Sequence, residues 1–461
     1  MMLTNEQINT TLNDPIDKGL INFKYKIIVL DDDPTGTQTV KDLPVYTEWS
    51  QELIEDGFKQ DNAMFYILTN SRALNEAQTI ELHQQISKNI EAVSQKLDHP
   101  YIVVSRGDST LRGHFYLEPK VLSEATDRQF DAVFYLPEFF EGNRFTYHGT
   151  HYLKEGEQYI PVAQSEFATD TTFGYTATTM ADFIEEQSLG EIAAKDVYHI
   201  DLDTIRQRDQ ATIWNVFDSV AHFDAVVVDA LNDEDMDYFV SCLTAYLTEH
   251  NKQFMFRTAA SFVKSMCQTP GEIINLNEHS TNNHGGIIIV GSHVKKTSAQ
   301  LSHLIEHAAI SSIEFDVTQV TNDKLSDYIQ KQVNQVENLI KQGHDVVIYT
   351  SRDVIKTEDL NNNLSISTNI SNALVAIIQG LTLQPRFIIA KGGITSSDVA
   401  TKGLNIKKAE VIGQITQGVP VWLTGDEAKY SHMPYVIFPG NIGEESTLTE
   451  VYQINSKDRE K

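Results

Sequence analysis

The chain has 461 residues, of which 41% are hydrophobic and 22% are charged, and this composition is typical of a globular protein with two or three domains. Disordered and fibrous proteins are therefore excluded. Acidic side chains outnumber basic ones by 64 to 36, and the resulting net charge of −28 disfavours binding to nucleic acid and to anionic membrane surfaces.

Cysteine content and the N-terminal segment indicate the compartment. The two cysteines, Cys242 and Cys267, form neither a CxxC pair nor a disulfide framework, which suits a reducing environment. Residues 1–22 lack the basic and apolar stretches of a signal peptide, and no apolar run approaches the length of a membrane span. We expect a cytoplasmic protein that binds a small molecule and binds neither nucleic acid nor membrane. The sequence leaves open whether the protein is a homo-oligomer.

Short β-branched segments alternate along the chain with longer segments of helical period, a pattern that predicts βα units around a mostly parallel sheet. The predicted strands of the first half are 26–30, 63–68, 101–104, 132–136, 225–228 and 253–256. After a polar, glycine-bearing stretch, further strands are predicted at 287–290, 346–349, 387–390, 419–423 and 435–438. We predict two α/β domains, each with a mostly parallel sheet flanked by helices: an N-terminal domain over 23–268, a linker over 269–286 and a C-terminal domain over 287–453.

Polar loops follow three predicted strands of the first half, and ligands of open α/β sheets bind beyond the carboxyl ends of strands. These loops are 31–36, 69–72 and 105–113, and a fourth, 137–150, adds Arg144. Three adjacent aspartates at 31–33 repel one another. Their presence therefore indicates nearby arginines, a bound metal or a role as proton acceptor. Arginine binds a carboxylate bidentately and aspartate accepts a hydroxyl proton, so this edge suits a polyhydroxylated acid. An HxxH pair, His148 and His151, lacks a third ligand in register and is weak evidence for zinc.

The same aspartates also fit the sequence pattern of a different class of enzyme. Asp31, Asp33 and Thr35 fit the DxDxT pattern of HAD-like phosphatases, in which the first aspartate is the nucleophile and the second is the acid/base. A non-catalytic sensor of a sugar acid and a nucleotide is the third alternative.

Glycine-bearing turns follow the strands of the second half, at 291–292, 391–396 and 439–443. Glycine between a strand and a helix lets backbone amides approach a phosphate, so these turns predict a nucleotide site. The segment 291–297 is not a Walker A motif, because Lys295 and Lys296 stand where that motif has any residue followed by glycine, so the required glycine is missing.

The sequence resembles the four-carbon acid sugar kinases. Their DDxTG segment is matched at 32–36, and their DSTLRG segment is matched without a change at 108–113. Further matches lie at 144–152, at 291–301, in a GGxTS loop at 392–396 and in a GNxG loop at 440–443. The last loop departs from the family pattern, because Phe438 and Pro439 stand where a lysine and a small residue are usual. One cation that would neutralise phosphate is therefore either missing or supplied by Lys391, Lys295 or Lys296.

The resemblance implies that the N-terminal domain binds the sugar acid and that the C-terminal domain binds ATP. The γ-phosphoryl group would pass, with ATP and Mg²⁺ as cofactors, to a hydroxyl of an acid of the tetronate or 3-oxo-tetronate type. The catalytic candidates are Asp32, Asp33 and Asp108, with Asp32 or Asp33 favoured as base and Asp108 positioning the substrate. The substrate-binding candidates are Ser71, Arg72, Ser109, Arg112 and Arg144. The ATP-binding candidates are Ser292, Gly392, Gly393, Ile394, Thr395, Ser396, Gly440, Asn441 and Gly443, and no metal ligand is assigned.

Overall fold

The structure, a computed structural model, describes residues 3–11, 15–267, 269–292, 294–321, 324–351, 360–440 and 442–456. The chain forms two compact units, Met1–Pro270 and Gly271–Lys461. Within the described ranges, every helix is too short or too polar to cross a lipid bilayer.

The first unit is built on an eight-stranded parallel sheet. In chain order its strands, together with those of a small separate sheet (β6 to β8), are β1 Lys26–Asp31, β2 Leu43–Tyr46, β3 Met64–Leu68, β4 Tyr101–Arg106, β5 Ala132–Leu136, β6 Arg144–Tyr147, β7 Thr150–Glu155, β8 Gln158–Pro161, β9 Tyr198–Ile200, β10 Asp224–Val228 and β11 Phe254–Thr258. The order in the large sheet is β2-β3-β1-β4-β11-β5-β10-β9. Its strands β1, β3, β4, β5 and β11 are buried along their whole length, as expected when helices cover both faces of a parallel sheet.

The helices of the first unit are α1 Asn5–Asn9, α2 Gln51–Lys59, α3 Glu76–Leu97, α4 Leu117–Glu124, α5 Met180–Gln187, α6 Leu202–Arg206, α7 Gln210–Ser219, α8 Asp233–Glu249 and α9 Ala260–Met266. The longest, α3, begins at a capping box in which Asn75 and Gln78 satisfy each other's backbone N–H groups. Its buried residues include Leu82, Ile86 and Ile90, which recur at helical spacing and pack against the sheet core.

The parallel register aligns the ends of the central strands. Asp31, the last residue of β1, lies opposite Leu68 at the end of β3 and Arg106 at the end of β4. The loops that follow these three strands therefore begin at one edge of the sheet. We call this edge, with its three loops, the carboxyl edge.

Strands β6, β7 and β8 form a separate antiparallel sheet within the segment predicted as a loop over 137–150 and the residues beyond it. The two-residue turn between β6 and β7 is His148-Gly149, with φ values of 49° and 66°. Positive φ at both positions matches the twist of a tight hairpin. The hairpin gives Arg144, at the start of β6, a fixed position.

The second unit has a seven-stranded sheet in the order β13-β14-β12-β15-β18-β17-β16. These strands are β12 Ile287–Val290, β13 Ser311–Phe315, β14 Val346–Thr350, β15 Ile388–Lys391, β16 Lys408–Thr416, β17 Val419–Thr424 and β18 Pro434–Phe438. The first five in the order are parallel, and β17 and β16 continue the sheet antiparallel. The helices are α10 Lys295–His307, α11 Leu325–Lys341, α12 Leu360–Gly380, α13 Gly393–Asp398, which continues into a π-helical turn at Val399–Gly403, and α14 Thr447–Ser456.

These two sheets confirm the predicted fold class of two α/β domains with mostly parallel sheets. The predicted domain ranges and the linker over 269–286 stay predictions. Within that stretch Leu276 is fully buried in the core of the second unit, beside Ile288 and Phe387.

Candidate functional site

The three aspartates that follow β1 have different environments. Asp31 is buried and pairs with Arg106 Nη1 at 3.4 Å. Burial raises the pKa of Asp31 to about 8, although Arg106 opposes this rise. A Cβ at Gly36 would collide with the Asp31 carboxylate, so glycine is required there. Asp31 is thus enclosed by Gly36 and Arg106, and this environment disfavours a role as the nucleophile of a DxDxT phosphatase.

Asp33 caps the short 3₁₀ turn Pro34–Thr37. Its Oδ1 accepts from the Thr35 backbone N–H at 2.9 Å and from the Thr35 hydroxyl at 2.6 Å. Aspartate at the N-cap followed by proline is a common way to begin a helical turn. Burial raises the pKa of Asp33, but Arg72 and the Thr35 hydrogen bonds outweigh it and lower the pKa below its ordinary value.

Arg72 joins the loops after β1 and β4. Its Nη2 lies 2.7 Å from Asp33 Oδ2 and 3.4 Å from Asp32 Oδ1, and its Nη1 lies 3.8 Å from Asp108 Oδ2. One guanidinium thus neutralises three carboxylates in part. Burial raises the pKa of Asp32 to about 6 against the effect of Arg72, and its Oδ2 has no hydrogen-bond partner among the described residues.

Asp108 begins the loop that carries the DSTLRG segment. Its carboxylate accepts from the Thr110 hydroxyl and from Arg112 Nε at 2.7 Å. Burial raises the pKa of Asp108, but Arg72 and Arg112 outweigh it, so the pKa lies well below the ordinary range. The loop closes at Gly113, whose φ of +105° disfavours any other residue.

Arg112 and Arg144 complete the cationic side of this edge. Arg112 stacks on Phe167, with its guanidinium carbon 4.9 Å from the ring centre, and its Nη1 lies 3.8 Å from Asp170 Oδ2. Arg144 is close enough to Asp108 and Arg112 for their charges to act on its pKa, which burial lowers. In the described part of the chain, Arg144 Nε has no hydrogen-bond partner. Arginines and aspartates therefore meet at the carboxyl edge as a mixed-charge cluster.

The two serine candidates of the first unit are buried. Ser71 is fully buried, and its hydroxyl donates to Glu118 Oε1 at 2.6 Å rather than facing the arginines. Ser109 is also buried, and its carbonyl accepts from His151 Nε2 at 2.9 Å. His151 Nδ1 accepts from the Thr146 hydroxyl at 3.0 Å, so both ring nitrogens bond to protein groups and the HxxH pair does not form a zinc site.

A buried ion pair lies beneath the loops and was missed by sequence reasoning. Arg257 of β11 donates to Glu118 of α4 and to the Ser105 hydroxyl, the latter at 2.8 Å. Ser105 in turn donates to Glu118 Oε2 at 2.9 Å. A Cβ at Gly107 would collide with the Arg257 guanidinium. The available signal was an arginine within the apolar strand Phe254–Thr258.

Two of the glycine-bearing turns of the second unit, 291–292 and 391–396, line a cavity of about 270 Å³. Its lining includes five of the predicted ATP-binding residues, Ser292, Gly392, Gly393, Ile394 and Thr395, and the apolar side chains of Ile370 and Leu374. Gly392 has a φ of +110°, and a Cβ there would lie 3.2 Å from Ser292 Cβ. The cavity therefore has a backbone wall on one side and an apolar wall on the other.

The other candidates in this unit lie around that cavity or behind it. Gly440 is next to Ser292, since a Cβ on Gly440 would lie 3.8 Å from Ser292 Oγ. Ser396 is fully buried and donates to the Ala390 carbonyl at 2.8 Å, so it holds the turn together. Gly443, with a φ of +82°, abuts Thr447 and is not part of the cavity lining. Asn441 lies outside the described residues.

The fold and these two sites define a two-domain α/β protein with a mixed-charge cluster in the first unit and a glycine-lined cavity in the second. Residues 27–266 match the family model of a sugar-binding N-terminal domain, and residues 287–448 match that of a nucleotide-binding C-terminal domain. The chain belongs to the four-carbon acid sugar kinase family, which confirms the resemblance found in the sequence.

Solved structures show the same fold at low sequence identity. A presumed tRNA synthase from Salmonella typhimurium LT2 is 15% identical with a TM-score of 0.69, over 93% of this chain and 98% of that one. A Haemophilus influenzae protein of the domain family of unknown function DUF1537 is 14% identical with a TM-score of 0.62, over 92% of this chain and 99% of that one. No curated protein matches the chain.

Proposed function

We propose that this protein is an ATP-dependent kinase that phosphorylates a hydroxyl of a four-carbon sugar acid of the tetronate or 3-oxo-tetronate type. The observation that carries the proposal is the mixed-charge cluster at the carboxyl edge. Arg72, Arg112 and Arg144 surround Asp108 there, beside Asp32 and Asp33. Arginines suit the carboxylate of the substrate, and carboxylates suit its hydroxyl groups.

The cavity of the second unit supports ATP as the phosphoryl donor. Its glycine turns allow a phosphate to approach the backbone, and Ile370, Leu374 and Ile394 offer an apolar wall for a base. Mg²⁺ enters this proposal with the nucleotide. It is held largely by phosphate oxygens and water, so it needs few protein ligands, and no residue is assigned to it.

Asp32 is the candidate we favour as the proton acceptor. Its pKa of about 6 leaves it ionised and still basic near neutral pH, whereas Asp33 and Asp108 are held ionised by Arg72 and other donors. Asp32 is only 1% exposed, with Arg72 Nη2 3.4 Å from its Oδ1. Its role in catalysis therefore requires Arg72 to move toward the carboxylate of the substrate.

The test is to incubate the protein with ATP, Mg²⁺ and a panel of tetronates and 3-oxo-tetronates, and to measure ADP release and the phosphorylated product. A kinase forms both in equal amounts, and only when a sugar acid is present. Binding of both ligands without ADP release would instead indicate a sensor. Phosphate release from a sugar phosphate without ATP would indicate a phosphatase, which the enclosure of Asp31 disfavours.

A further inference from the structure

Lys391 is a fully buried lysine at the end of β15, directly before Gly392. Its ammonium donates to the Pro439 carbonyl at 3.0 Å and lies 4.0 Å from the centre of the Phe438 ring. A carbonyl and an aromatic face replace only part of the hydration that an ammonium loses on burial. The Lys391 side chain is therefore held at the turn that bears Gly440, although its ammonium loses part of its hydration there.

The surroundings of Lys391 contain no compensating anion among the described residues. Burial, together with the charge of Lys296 on α10, lowers the pKa of Lys391 to about 7. Of the other ionisable groups nearby, Asp398 on α13 is bonded to Ser371 at 2.6 Å and to Lys402 at 2.7 Å. Tyr435 on β18 donates to the Ser396 carbonyl at 2.6 Å. Among the residues that the structure describes, Lys391 and Lys296 thus form no ion pair with a carboxylate.

Three buried side chains hold the carbonyls of the loop after β18. Lys391 binds Pro439 O, Thr297 binds Gly440 O at 3.1 Å, and Gln300 binds Ile442 O at 3.0 Å and Glu444 O at 2.7 Å. In a trans peptide the N–H points away from the C=O of the same unit. The N–H groups of Gly440 and Gly443 are therefore turned away from these donors. Backbone N–H groups that point away from the protein's own acceptors in this way favour the binding of an anion.

We propose that Lys391 is a positioning residue of the nucleotide site, which fixes the Gly440 turn from behind and supplies the positive charge that nucleotide phosphates balance. The inference rests on the proposed nucleotide binding. It requires no direct contact between Lys391 and a phosphate, because a charge acts through a buried, weakly polarisable region. A bound anion favours the charged form of a neighbouring lysine, so nucleotide binding takes up a proton at Lys391.

The experiment is calorimetric titration of the full chain with ADP at pH 8.0 in two buffers that differ in ionisation enthalpy. At this pH free ADP is already deprotonated, and the difference between the two buffers reports the protons taken up. The variants are Lys391→Met, which removes the charge at similar length, and Lys391→Arg, which is permanently charged. Lys402→Met, on the exposed π-helical turn, is the matched control.

Wild type and Lys402→Met should both take up a substantial fraction of one proton. At pH 8.0 free Lys391 is mostly neutral, so Lys391→Met should bind ADP about twofold more weakly, as for one pKa unit of coupling at this pH, and without proton uptake. Lys391→Arg should retain binding without uptake. Binding by wild type with no proton uptake, or equal affinity and uptake in Lys391→Met, would overturn the inference and leave nucleotide binding intact. If wild type binds neither ADP nor ATP, the proposed function fails and the inference fails with it.

Nucleotide binding by wild type without proton uptake overturns the inference even if a variant does not fold. A melting curve for each variant shows whether it does. Replacing an uncompensated buried charge by a methionine of similar length should preserve or raise the melting temperature. A weaker ADP affinity in a Lys391→Met protein of undiminished stability then reports the site rather than the fold.

Discussion

Arg257 and Glu118 form an ion pair in which both side chains are almost completely buried, at 1% and 2% exposure. The pair lies under the loops after β3 and β4, where Glu118 also accepts hydrogen bonds from Ser71 and Ser105. Breaking such a pair leaves one buried charge without a partner. It therefore supports the carboxyl edge without belonging to the set of residues proposed to bind substrate.

We predict that Arg257→Met lowers the free energy of unfolding by about 3 to 5 kcal/mol, because Glu118 then stays buried without its counter-ion. Urea denaturation measures the loss. As a control, Lys59→Met removes the pair of Lys59 with Glu55, whose lysine is exposed, and should change stability by at most about 0.5 kcal/mol. The double variant Arg257→Met with Glu118→Met should recover part of the loss. Equal effects of the buried and exposed replacements would contradict this account.

The same pair predicts a dependence of stability on pH. Burial opposes ionisation of Glu118, but Arg257 and the hydroxyl donors outweigh it and lower the pKa from 4.5 to about 2. A carboxyl with a lowered pKa in the folded state stabilises the protein above its ordinary pKa. This contribution is lost as the pH falls from about 4.5 through about 2. Acid titration of stability in wild type and in Glu118→Gln measures it, and the two slopes should differ in this range.

Arg112→Ala should weaken sugar-acid binding by about 1.5 to 3 kcal/mol, the expected value for a lost charge-assisted contact. Arg112→Lys should recover only part of this, because lysine keeps the charge and loses the planar fork. Arg128→Ala, which removes an arginine stacked on Tyr101, is the control. The Michaelis constant for the acid and its dissociation constant are the measurements. Unchanged values in Arg112→Ala would remove this residue from the substrate site.

Asp32→Asn should lower the turnover number by about 10² to 10⁴ while leaving substrate binding largely intact, as for loss of a general base. In wild type the turnover number should rise with pH through about 6, where Asp32 becomes ionised. Asp33→Asn and Asp108→Asn, made in parallel, distinguish the contributions of the three aspartates to turnover. If Asp108→Asn alone shows the loss of turnover with binding retained, Asp108 is the base.

Gly392→Ala should weaken ATP binding at least about tenfold, because a side chain at a φ of +110° is strained and its Cβ would press on Ser292. Sugar-acid binding by the first unit should stay unchanged. Gly343→Ala is a matched control: Gly343 has a φ of +84° in the same unit, outside the cavity lining. Isothermal titration with each ligand measures both effects. An equal loss of ATP affinity in both variants would indicate general strain rather than a local role.

The sequence predicted the carboxyl edge well for a physical reason. Parallel strands end at a common edge, so loops distant in sequence, such as those of Asp32, Arg72 and Asp108, are expected to meet once the strands are found. The different environments of Asp31, Asp32 and Asp33 could not be predicted, because they depend on burial and on which arginine reaches each carboxylate. The Arg257–Glu118 pair was missed since it joins a strand and a helix 139 positions apart.

In the second unit the sequence located the turns but not the function of each residue. Ser396 stands in the same GGxTS loop as Thr395, yet it turns inward to the Ala390 carbonyl, and side-chain direction at a turn depends on packing.

The segment 137–150 of the first unit was predicted as a loop, although β6 lies within it. Short strands of alternating aromatic and polar residues in a small separate sheet carry little signal in a single sequence.

Arg112 is shared between two internal acids, Asp108 and Asp170, as long as no ligand occupies the edge. An incoming carboxylate therefore competes for Arg112, chiefly with Asp170, whose oxygen lies 3.8 Å from Nη1 and makes the weaker contact. Under this arrangement a neutral sugar of the same shape gains nothing from the arginine, since it cannot displace either acid. Selectivity for acids over neutral sugars then arises from competition within the protein, and affinity for the acid should vary only weakly with ionic strength.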